Sequence, residues 1–238
     1  MQIGIIGAGN MAGALARGLG ERVLCTDAGS GRAPSVGEPL SSNAELARRA
    51  DLVILAHKPA QLEAVAAQCE GHARSVISLL GAVTLESLRA AYPHAQPLVR
   101  AMPNTAVEVR RGVTCLCGED TQSAQALFER VGVVFEVPER NMDAATAVSG
   151  VAPAYVSLLA EAWVDAAVKH GLPAGQAAQL VLESLAGSTE LLRARAMDTL
   201  AVRRAVTSPG GMTARGLAAL ESAGVRAAFL EAMAAVLR

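Results

Sequence analysis

Short runs of apolar residues alternate with amphipathic stretches over the first 140 residues of the chain, a pattern typical of strands connected by helices. Strands are predicted at Gln2–Ile6, Val23–Thr26, Leu52–Ala56, Ser75–Leu79, Leu98–Met102, Thr114–Leu116 and Val133–Val137. Helices are predicted at Asn10–Leu19, Ala44–Arg49, Gln61–Cys69, Thr84–Tyr92 and Thr121–Val131. Strands separated by single helices need crossover connections, so we predict a mostly parallel, doubly wound sheet with helices on both faces.

The pattern changes near residue 140, and no further strand is predicted from Met142 onward. Helices are predicted at Tyr155–His170, from Pro173 to about Arg195, at Leu200–Val206 and on both sides of Gly224. Residues 1–140 and 141–238 are therefore predicted to be an α/β domain and an all-α domain. The helix Tyr155–His170 is apolar on more than one side and must be buried, yet so small a domain offers little cover. We therefore predict a homodimer with interlocking helices.

Composition and charge narrow the classes of partner. The formal net charge is −1, which gives no electrostatic reason to expect nucleic acid or an anionic membrane. No apolar run approaches the ~20 residues of a transmembrane helix, and no secretory signal precedes the first strand, so a cytoplasmic protein is expected. The four cysteines lack metal-ligand spacing and are interpreted as reduced thiols, so no metal site is predicted.

A glycine-rich turn, Gly7–Ala12, follows the first predicted strand directly. Gly7 permits a tight turn, Gly9 leaves room for phosphates beside the backbone, and Ala12 lets helix and strand pack closely. The helix that begins near Asn10 points its positive end at the same place. We therefore predict a βαβ unit that binds the pyrophosphate of a dinucleotide. The predicted contacts are Gly7, Gly9, Asn10 and Met11.

Two further strand ends place polar residues at the predicted ligand edge. Asp27 follows the second strand, where a carboxylate accepts hydrogen bonds from ribose hydroxyls and disfavours a 2′-phosphate, although a simple turn role stays open. Arg32 in the next loop favours NADP instead, so both NADH and NADPH stay open as cofactors. Ala56, Lys58 and Pro59 close the third strand and are predicted cofactor contacts, and Lys58 is one of only two lysines in the chain.

Three further segments resemble a known family: Arg100–Thr105, Ser149–Tyr155 and Thr207–Thr213. Together with Gly7–Ala12 and Lys58–Pro59, they are similar in order and spacing to the motif series of the pyrroline-5-carboxylate reductases. The resemblance covers nearly the whole chain and implies a Rossmann domain followed by a helical dimerisation domain. It implies reduction of 1-pyrroline-5-carboxylate to proline by hydride from NADPH or NADH. It also implies an active site between the nicotinamide of one subunit and the helical domain of the other, in a homodimer or a larger homo-oligomer.

Thr207–Thr213 is predicted to be a loop that runs into a helix, where converging N–H groups and the positive helix end form a nest for the substrate carboxylate. The predicted substrate contacts are Ser208, Gly210, Gly211, Met212 and Thr213. The resemblance implies that Thr213 hydrogen-bonds the ring nitrogen, and Ser208 and Thr213 are the predicted catalytic side chains, with a plain helix N-cap as the alternative for Thr213. It also implies Asn104 near the nicotinamide and Asn43 at the adenosine ribose.

Several positions depart from the family pattern. His57 stands where valine is common, and it is interpreted as a partly exposed loop histidine. Val151-Ala152 replaces Ser-Gly or Ser-Ser, and Ala106 replaces a frequent proline. Ala196–Asp198 stands where many members have a Glu-His-Pro stretch, so the acidic group of some members is either missing here or replaced by Asp198. These departures leave open whether the imine substrate differs.

Three alternatives to the main interpretation remain. A related imine reductase with another imino-acid substrate is one, and a non-catalytic NAD(P)-binding sensor is another. A β-hydroxyacid dehydrogenase is the third, but its chemistry needs a lysine in the helical domain, and Lys169 at a helix end is the single candidate. An imine is more basic than a ketone and is reducible as its iminium, so orientation and hydride proximity matter more than a strong general acid.

Overall fold

The computed structural model describes residues 1–27 and 37–237. By its internal contacts the chain divides into two compact units, Met1–Pro153 and Ala154–Arg238. This division lies later in the chain than the predicted boundary between residues 140 and 141. The helix Met142–Ser149 packs on the strand Gly112–Gly118, so it belongs to the first unit by contact.

The first unit is an α/β unit built on one sheet. Its strands in the described part of the chain are β1 (Ile3–Ile6), β2 (Leu24–Thr26), β3 (Glu38–Pro39), β4 (Leu52–Leu55), β5 (Val76–Ser78), β6 (Leu98–Pro103), β7 (Gly112–Gly118) and β8 (Gly132–Glu136). Its α-helices are α1 (Asn10–Leu19), α2 (Asn43–Arg49), α3 (Leu62–Gln68), α4 (Leu85–Ala91), α5 (Gln122–Glu129) and α6 (Met142–Ser149). Short 3₁₀ turns cover Pro59–Gln61, Thr105–Val109 and Glu139–Asn141.

The sheet order is β3-β2-β1-β4-β5-β6-β7-β8 among the described residues, and every pair is parallel except β6 with β7. At its centre Ile5 pairs with Cys25 on one side and with Ile54 on the other. The mostly parallel, doubly wound sheet predicted from the sequence is therefore confirmed. Two details differ, because β3 was not predicted and β7 is both longer than predicted and antiparallel to β6.

Helices cover both faces of this sheet, which explains the uninterrupted apolar runs in its central strands. All four residues of β1 and all four of β4 are buried. On one face Ile5 and Ile54 pack with Leu15 of α1 and Phe128 of α5. The other face forms a separate cluster with α2, α3 and α4, which includes Ile6, Leu24, Leu46, Val65 and Leu88. The carboxyl ends of β1, β2 and β4 are thereby held at one rigid edge.

The remaining α-helices of the described chain follow one another without a strand, which confirms the predicted all-helical part. They are α7 (Ala152–Lys169), α8 (Ala174–Ala194), α9 (Thr199–Val206), α10 (Met212–Ser222) and α11 (Val225–Val236). Within the second unit, the rings of Tyr155 and Phe229 meet edge to face with centroids 6.5 Å apart.

Large apolar side chains of these helices face solvent in the single chain. Leu158 is 67% exposed, Trp163 49% and Leu230 74%. A stretch of the described chain, Glu139–Lys169, is long and apolar enough to cross a membrane by length and composition alone. Exposure of this extent is typical of a surface that a partner subunit covers.

Candidate cofactor and substrate sites

A cavity of about 580 Å³ opens where the chain order of the strands reverses. The chain runs from β1 outward to β2 and β3, then returns to β4 on the other side of β1, and such a switch point leaves a crevice at the strand ends. Seven of the ten residues predicted to contact the cofactor line this cavity: Gly7, Gly9, Asn10, Met11, Asp27, Ala56 and Lys58. Ala8, His57 and Gln61 also line it and were not predicted as contacts.

Gly7 is required by the protein chain itself. Its φ is +125°, which L side chains rarely adopt, and a Cβ here would collide with the backbone carbonyl of Ala56. The N–H of Gly7 donates to the carbonyl of Thr26 at 2.9 Å, so the turn is fixed to the end of β2. Gly7 thus brings the ends of β1, β2 and β4 together at the floor of the crevice.

Gly9 is not required by the chain. Its φ is −81°, open to any residue, and a Cβ built on it would have no atom within 4 Å. A side chain here would stand in the open space at the cavity wall, beside the amino-terminal end of α1. That end presents N–H groups that have no partner within the helix, and it favours an anion. The cradle therefore fits the pyrophosphate of a dinucleotide.

Asp27 and Lys58 face the same cavity from the ends of β2 and β4. The backbone N–H of Lys58 donates to Oε1 of Gln61 at 3.2 Å, which closes a short turn. Pro59, which was predicted to contact the cofactor, begins that 3₁₀ turn and is not among the residues that line the cavity. Arg32, the residue that favours NADP, lies outside the described residues.

Asn43 is buried, although it was predicted to contact the adenosine ribose. Its Oδ1 accepts a hydrogen bond from Thr26 Oγ1 at 2.5 Å, and its Nδ2 donates to Gln68 Oε1 at 2.7 Å. The amide thus connects the end of β2 to α2 and α3. Ribose contact by Asn43 stays a prediction, and the structure gives its side chain a positioning role behind the crevice.

Asn104 has a similar place at the end of β6, where it was predicted near the nicotinamide. Its Nδ2 donates to the carbonyl of Ser149 at 3.0 Å, and its Oδ1 accepts from the N–H of Val113 at 3.2 Å. The side chain is buried and ties β6 to β7 and to the end of α6. Asn104 is not among the residues that line the cavity described above, so its contact with the nicotinamide stays a prediction.

His57 is half-buried, which agrees with the predicted partly exposed loop histidine, although its ring tip is enclosed. Its Nδ1 lies 2.9 Å from the carbonyl oxygen of Lys58. Because a carbonyl oxygen only accepts, this nitrogen must carry a hydrogen and donate it. Its Nε2 is buried and has no hydrogen-bond partner among the described residues. Burial lowers the pKa of the imidazole, and the bond to the Lys58 carbonyl opposes this only in part. The ring is therefore held neutral beside the cofactor cavity.

Replacing His57 with valine is expected to stabilise the fold by about 1 kcal/mol at pH 8, because a buried nitrogen without a partner is removed. The pKa of His57 is lower in the folded protein than in the unfolded chain. When the pH falls below about 6.5, the unfolded chain therefore binds a proton at His57 before the folded protein does. The wild type should therefore lose stability through this group on acidification, and the His57→Val variant should not. Urea unfolding at pH 8 and at pH 5.5 measures the free energy of unfolding of both proteins. If the difference between wild type and His57→Val is the same at both pH values, His57 is not the buried neutral imidazole described here.

In the second unit, the loop between α9 and α10 folds as a tight turn. Gly210 has a φ of +70°, and the N–H of Gly211 donates to the carbonyl of Ser208 at 3.1 Å. The Ser208 hydroxyl occupies the space that a Cβ on Gly211 would need. Gly211 is the N-cap of α10, so the interpretation of Thr213 as the N-cap is wrong.

Thr213 lies in the first turn of α10, where Met212, Thr213 and Ala214 present N–H groups without an intrahelical acceptor. In the part of the chain that the structure describes, the Thr213 hydroxyl makes no hydrogen bond. The turn therefore offers several donors at the positive end of an eleven-residue helix. Such an arrangement is able to bind a carboxylate and to donate one further hydrogen bond.

Asp198 has a local structural role. Its carboxylate accepts from the N–H of Ala201 at 2.9 Å and caps the start of α9. The two preceding residues, Ala196 and Met197, have φ values of 49° and 62°, so the chain reverses sharply before this cap. Ala196–Asp198, which departs from the family pattern, thus forms the turn and the N-cap that begin α9.

The four cysteines are all buried and unpaired. Burial raises the pKa of Cys25 and of Cys69 to about 11, which keeps both thiols protonated and unreactive at neutral pH. No group of three or more potential metal ligands occurs within residues 1–27 and 37–237.

Residues 139–238 match the family described as pyrroline-5-carboxylate reductase dimerisation, and residues 2–81 match the family described as NADP oxidoreductase coenzyme F420-dependent. A pyrroline-5-carboxylate reductase of Synechocystis sp. is 38% identical over 264 residues, which cover 100% of this chain and 96% of the relative. The pyrroline-5-carboxylate reductase of Thermus thermophilus is 36% identical over 256 residues, which cover 100% of this chain and 97% of the relative. The crystal structure of a Plasmodium falciparum pyrroline carboxylate reductase with NADP bound has a TM-score of 0.91 at 30% identity, covering 99% of this chain and 95% of that one.

Proposed function

The chain belongs to the pyrroline-5-carboxylate reductase family, and we propose that it performs the reaction that names the family, reducing 1-pyrroline-5-carboxylate to proline with NADPH or NADH. The main structural support is the first turn of α10, where free N–H groups and the Thr213 hydroxyl meet. A carboxylate and a C=N bond are the two polar features of this substrate, and the turn has a hydrogen-bonding group for each: N–H groups for the carboxylate and a hydroxyl for the ring nitrogen.

The cofactor supplies the hydride when it is bound. We assign its pyrophosphate to the opening at Gly9 and the amino-terminal end of α1, with Gly7, Asn10 and Met11 forming the turn around it. Asp27 is assigned to the adenosine ribose, and Lys58 borders the same cavity. Ala56 lines the same cavity, and Asn43 connects the elements behind it. Pro59 and Asn104 stay predicted contacts.

The substrate carboxylate is assigned to the N–H groups of Met212 and Thr213, with Gly210, Gly211 and the Ser208 hydroxyl completing the turn. The Thr213 hydroxyl oxygen then accepts a hydrogen bond from the N–H of the protonated ring nitrogen and orients the imine carbon for hydride transfer. A bound imine is basic enough to be reduced in its protonated form, so orientation supplies most of the rate enhancement. Thr213 and Ser208 are thus the proposed catalytic side chains.

The match of residues 139–238 to a dimerisation family supports oligomerisation. We assign the interface to the apolar faces that α7, α10 and α11 expose, and we propose a homodimer as its smallest unit. The apolar stretch Glu139–Lys169 belongs to this surface in our interpretation. A cytoplasmic location and the absence of a nucleic-acid or membrane partner stay predictions from charge and composition.

A direct assay tests the proposed reaction. The purified protein is mixed with 1-pyrroline-5-carboxylate, and the oxidation of NADH and of NADPH is followed separately at 340 nm, with proline identified by mass spectrometry. We expect turnover with at least one cofactor. Binding of a cofactor without turnover would favour a sensor, and turnover of another cyclic imine alone would favour a different substrate.

Replacing Thr213 with alanine is expected to lower kcat/KM for the imine by about 100-fold, the typical cost of losing one hydrogen bond to the reacting group. The dissociation constant of NADPH should not change, because Thr213 lies on a different unit from the cofactor cavity. Thr213→Ser retains the hydroxyl and should keep within about tenfold of the wild-type rate. An unchanged rate in Thr213→Ala contradicts the role assigned to this hydroxyl.

A further inference from the structure

Arg215 is the fourth residue of α10, in its first turn, and its side chain contacts the loop that we assign to the substrate. Its Nη1 donates to the carbonyl oxygen of Gly210 at 2.7 Å, which covers the negative end of the peptide between Gly210 and Gly211. The direction agrees with the general tilt of helical side chains toward the amino-terminal end. The guanidinium is therefore beside the N–H groups that the carboxylate is assigned to.

The charge of Arg215 has no counterion in the part of the chain that the structure describes. Arginines elsewhere form ion pairs, such as Arg226 with Glu221 at 2.7 Å and Arg193 with Glu190 at 3.3 Å. Arg215 is solvent-exposed and has the Gly210 carbonyl as its hydrogen-bond partner among the described side-chain contacts. A cation near the positive end of a helix is unfavourable by itself, and a bound anion removes that cost.

We propose that Arg215 is a specificity-determining residue, whose positive charge selects imines that carry a carboxylate over the same rings without one. This inference rests on the proposed function, because it assigns the recognised anion to the turn at Met212 and Thr213. Those N–H groups hold the carboxylate directly. Arg215 adds attraction at longer range and keeps the Gly210 carbonyl from repelling the anion.

The test compares two substrates and several side chains at position 215. Arg215→Gln retains a donor for the Gly210 carbonyl but removes the charge, Arg215→Lys retains the charge, and Arg215→Ala removes both. With saturating cofactor, we expect the KM for 1-pyrroline-5-carboxylate to rise about tenfold in the Gln and Ala variants, with kcat within twofold. The Lys variant should stay within about threefold of the wild-type KM.

For 1-pyrroline, the same ring without a carboxylate, kcat/KM should be equal in wild type and Arg215→Gln. Raising KCl from 50 to 500 mM should shrink the difference between them on the carboxylate substrate, because salt screens exposed charges. Arg193→Ala removes one charge from α8 and is the control for a general field effect, with no change expected.

The outcomes separate this inference from the proposed function. A wild type that does not reduce 1-pyrroline-5-carboxylate overturns the proposed function itself. A wild type that reduces it while Arg215→Gln keeps the wild-type KM overturns only the role of Arg215. A loss in Arg215→Gln that is equal on both substrates and insensitive to salt also overturns it, since a disturbed loop rather than a missing charge would then be the cause.

Discussion

Gly9→Val is expected to weaken NADPH binding by at least 100-fold while the protein stays folded. The φ of Gly9 is −81° with extended ψ, which valine adopts readily, and no atom lies within 4 Å of the added Cβ. The side chain would instead occupy the opening where the pyrophosphate is assigned, next to the start of α1. The fold should lose about 1 kcal/mol at most, the usual cost of a poor N-cap residue.

Gly7→Ala is the matched control, two residues away in the same turn. Here φ is +125° and the Cβ would collide with the Ala56 carbonyl, so the fold should lose about 2 to 3 kcal/mol. Fluorescence titration with NADPH and urea unfolding measure the two properties separately. We expect the Gly9 variant to fail in the first measurement and the Gly7 variant in the second. If Gly9→Val binds NADPH within threefold of wild type, the pyrophosphate is not at this opening.

The cofactor crevice was predictable because it depends on local rules. A strand, a glycine turn and a helix follow one another at the start of the chain, and the ends of neighbouring parallel strands must meet at one edge. Asp27 and Lys58 therefore come to one cavity although they are far apart in sequence. The order of the strands was not predicted, and the structure shows that β2 and β4 flank β1.

The direction of β7 was missed because the apolar pattern of a strand is the same in both directions. The signal lay in the connection. Residues 104–111 between β6 and β7 are too few for a crossover, which needs a dozen or more residues. An antiparallel pair was therefore the one arrangement open to neighbouring strands. The two-residue β3, which contains Pro39, has no comparable signal because it is too short to show any periodicity.

Burial of polar side chains was the least predictable property of the site. Asn43 reaches Thr26 and Gln68, and these contacts depend on how α2 and α3 pack on the sheet rather than on spacing along the chain. The Nε2 of His57 is likewise buried by tertiary packing that no local pattern indicates, although the residue as a whole is only half-buried. Arg215 did carry a sequence signal, a cation within the first turn of a predicted helix, but the signal has meaning only beside an anion site.

The ion pair between Arg100 and Glu139 was likewise not predicted from the sequence, because it depends on how distant segments pack. Arg100 lies in the middle of β6 with a side chain only 4% exposed, and its Nη1 donates to Glu139 Oε1 at 2.9 Å. Glu139 also accepts the N–H of Leu85 at 2.6 Å, at the start of α4. The backbone N–H of Leu85 and the Arg100 guanidinium together lower the pKa of the Glu139 carboxyl. One carboxylate thus joins β6, α4 and the segment that leads into the helices.

Glu139→Ala is expected to lower the free energy of unfolding by about 2 to 3 kcal/mol at pH 7. A buried guanidinium would lose its partner, which costs about 3 to 5 kcal/mol in fully buried pairs. The cost is smaller here because Glu139 is 37% exposed and Asp143 lies 3.9 Å from Arg100. Glu221→Ala breaks the exposed pair with Arg226 and should leave the free energy of unfolding nearly unchanged, because water and salt screen an exposed pair.

The pH dependence of this loss identifies its cause. The pKa of Glu139 is lowered in the folded protein, so its stabilising effect is complete above the ordinary glutamate value near 4.5 and is lost as the pH falls through the folded value. Urea unfolding of wild type and Glu139→Ala should therefore show a gap at pH 7 that narrows below pH 4.5. A gap that keeps its full size in acid would mean that packing at Glu139, not its charge beside Arg100, stabilises this junction. A difference in the free energy of unfolding that closes in acid would show that the ionised Glu139 carboxylate stabilises the buried Arg100 of β6.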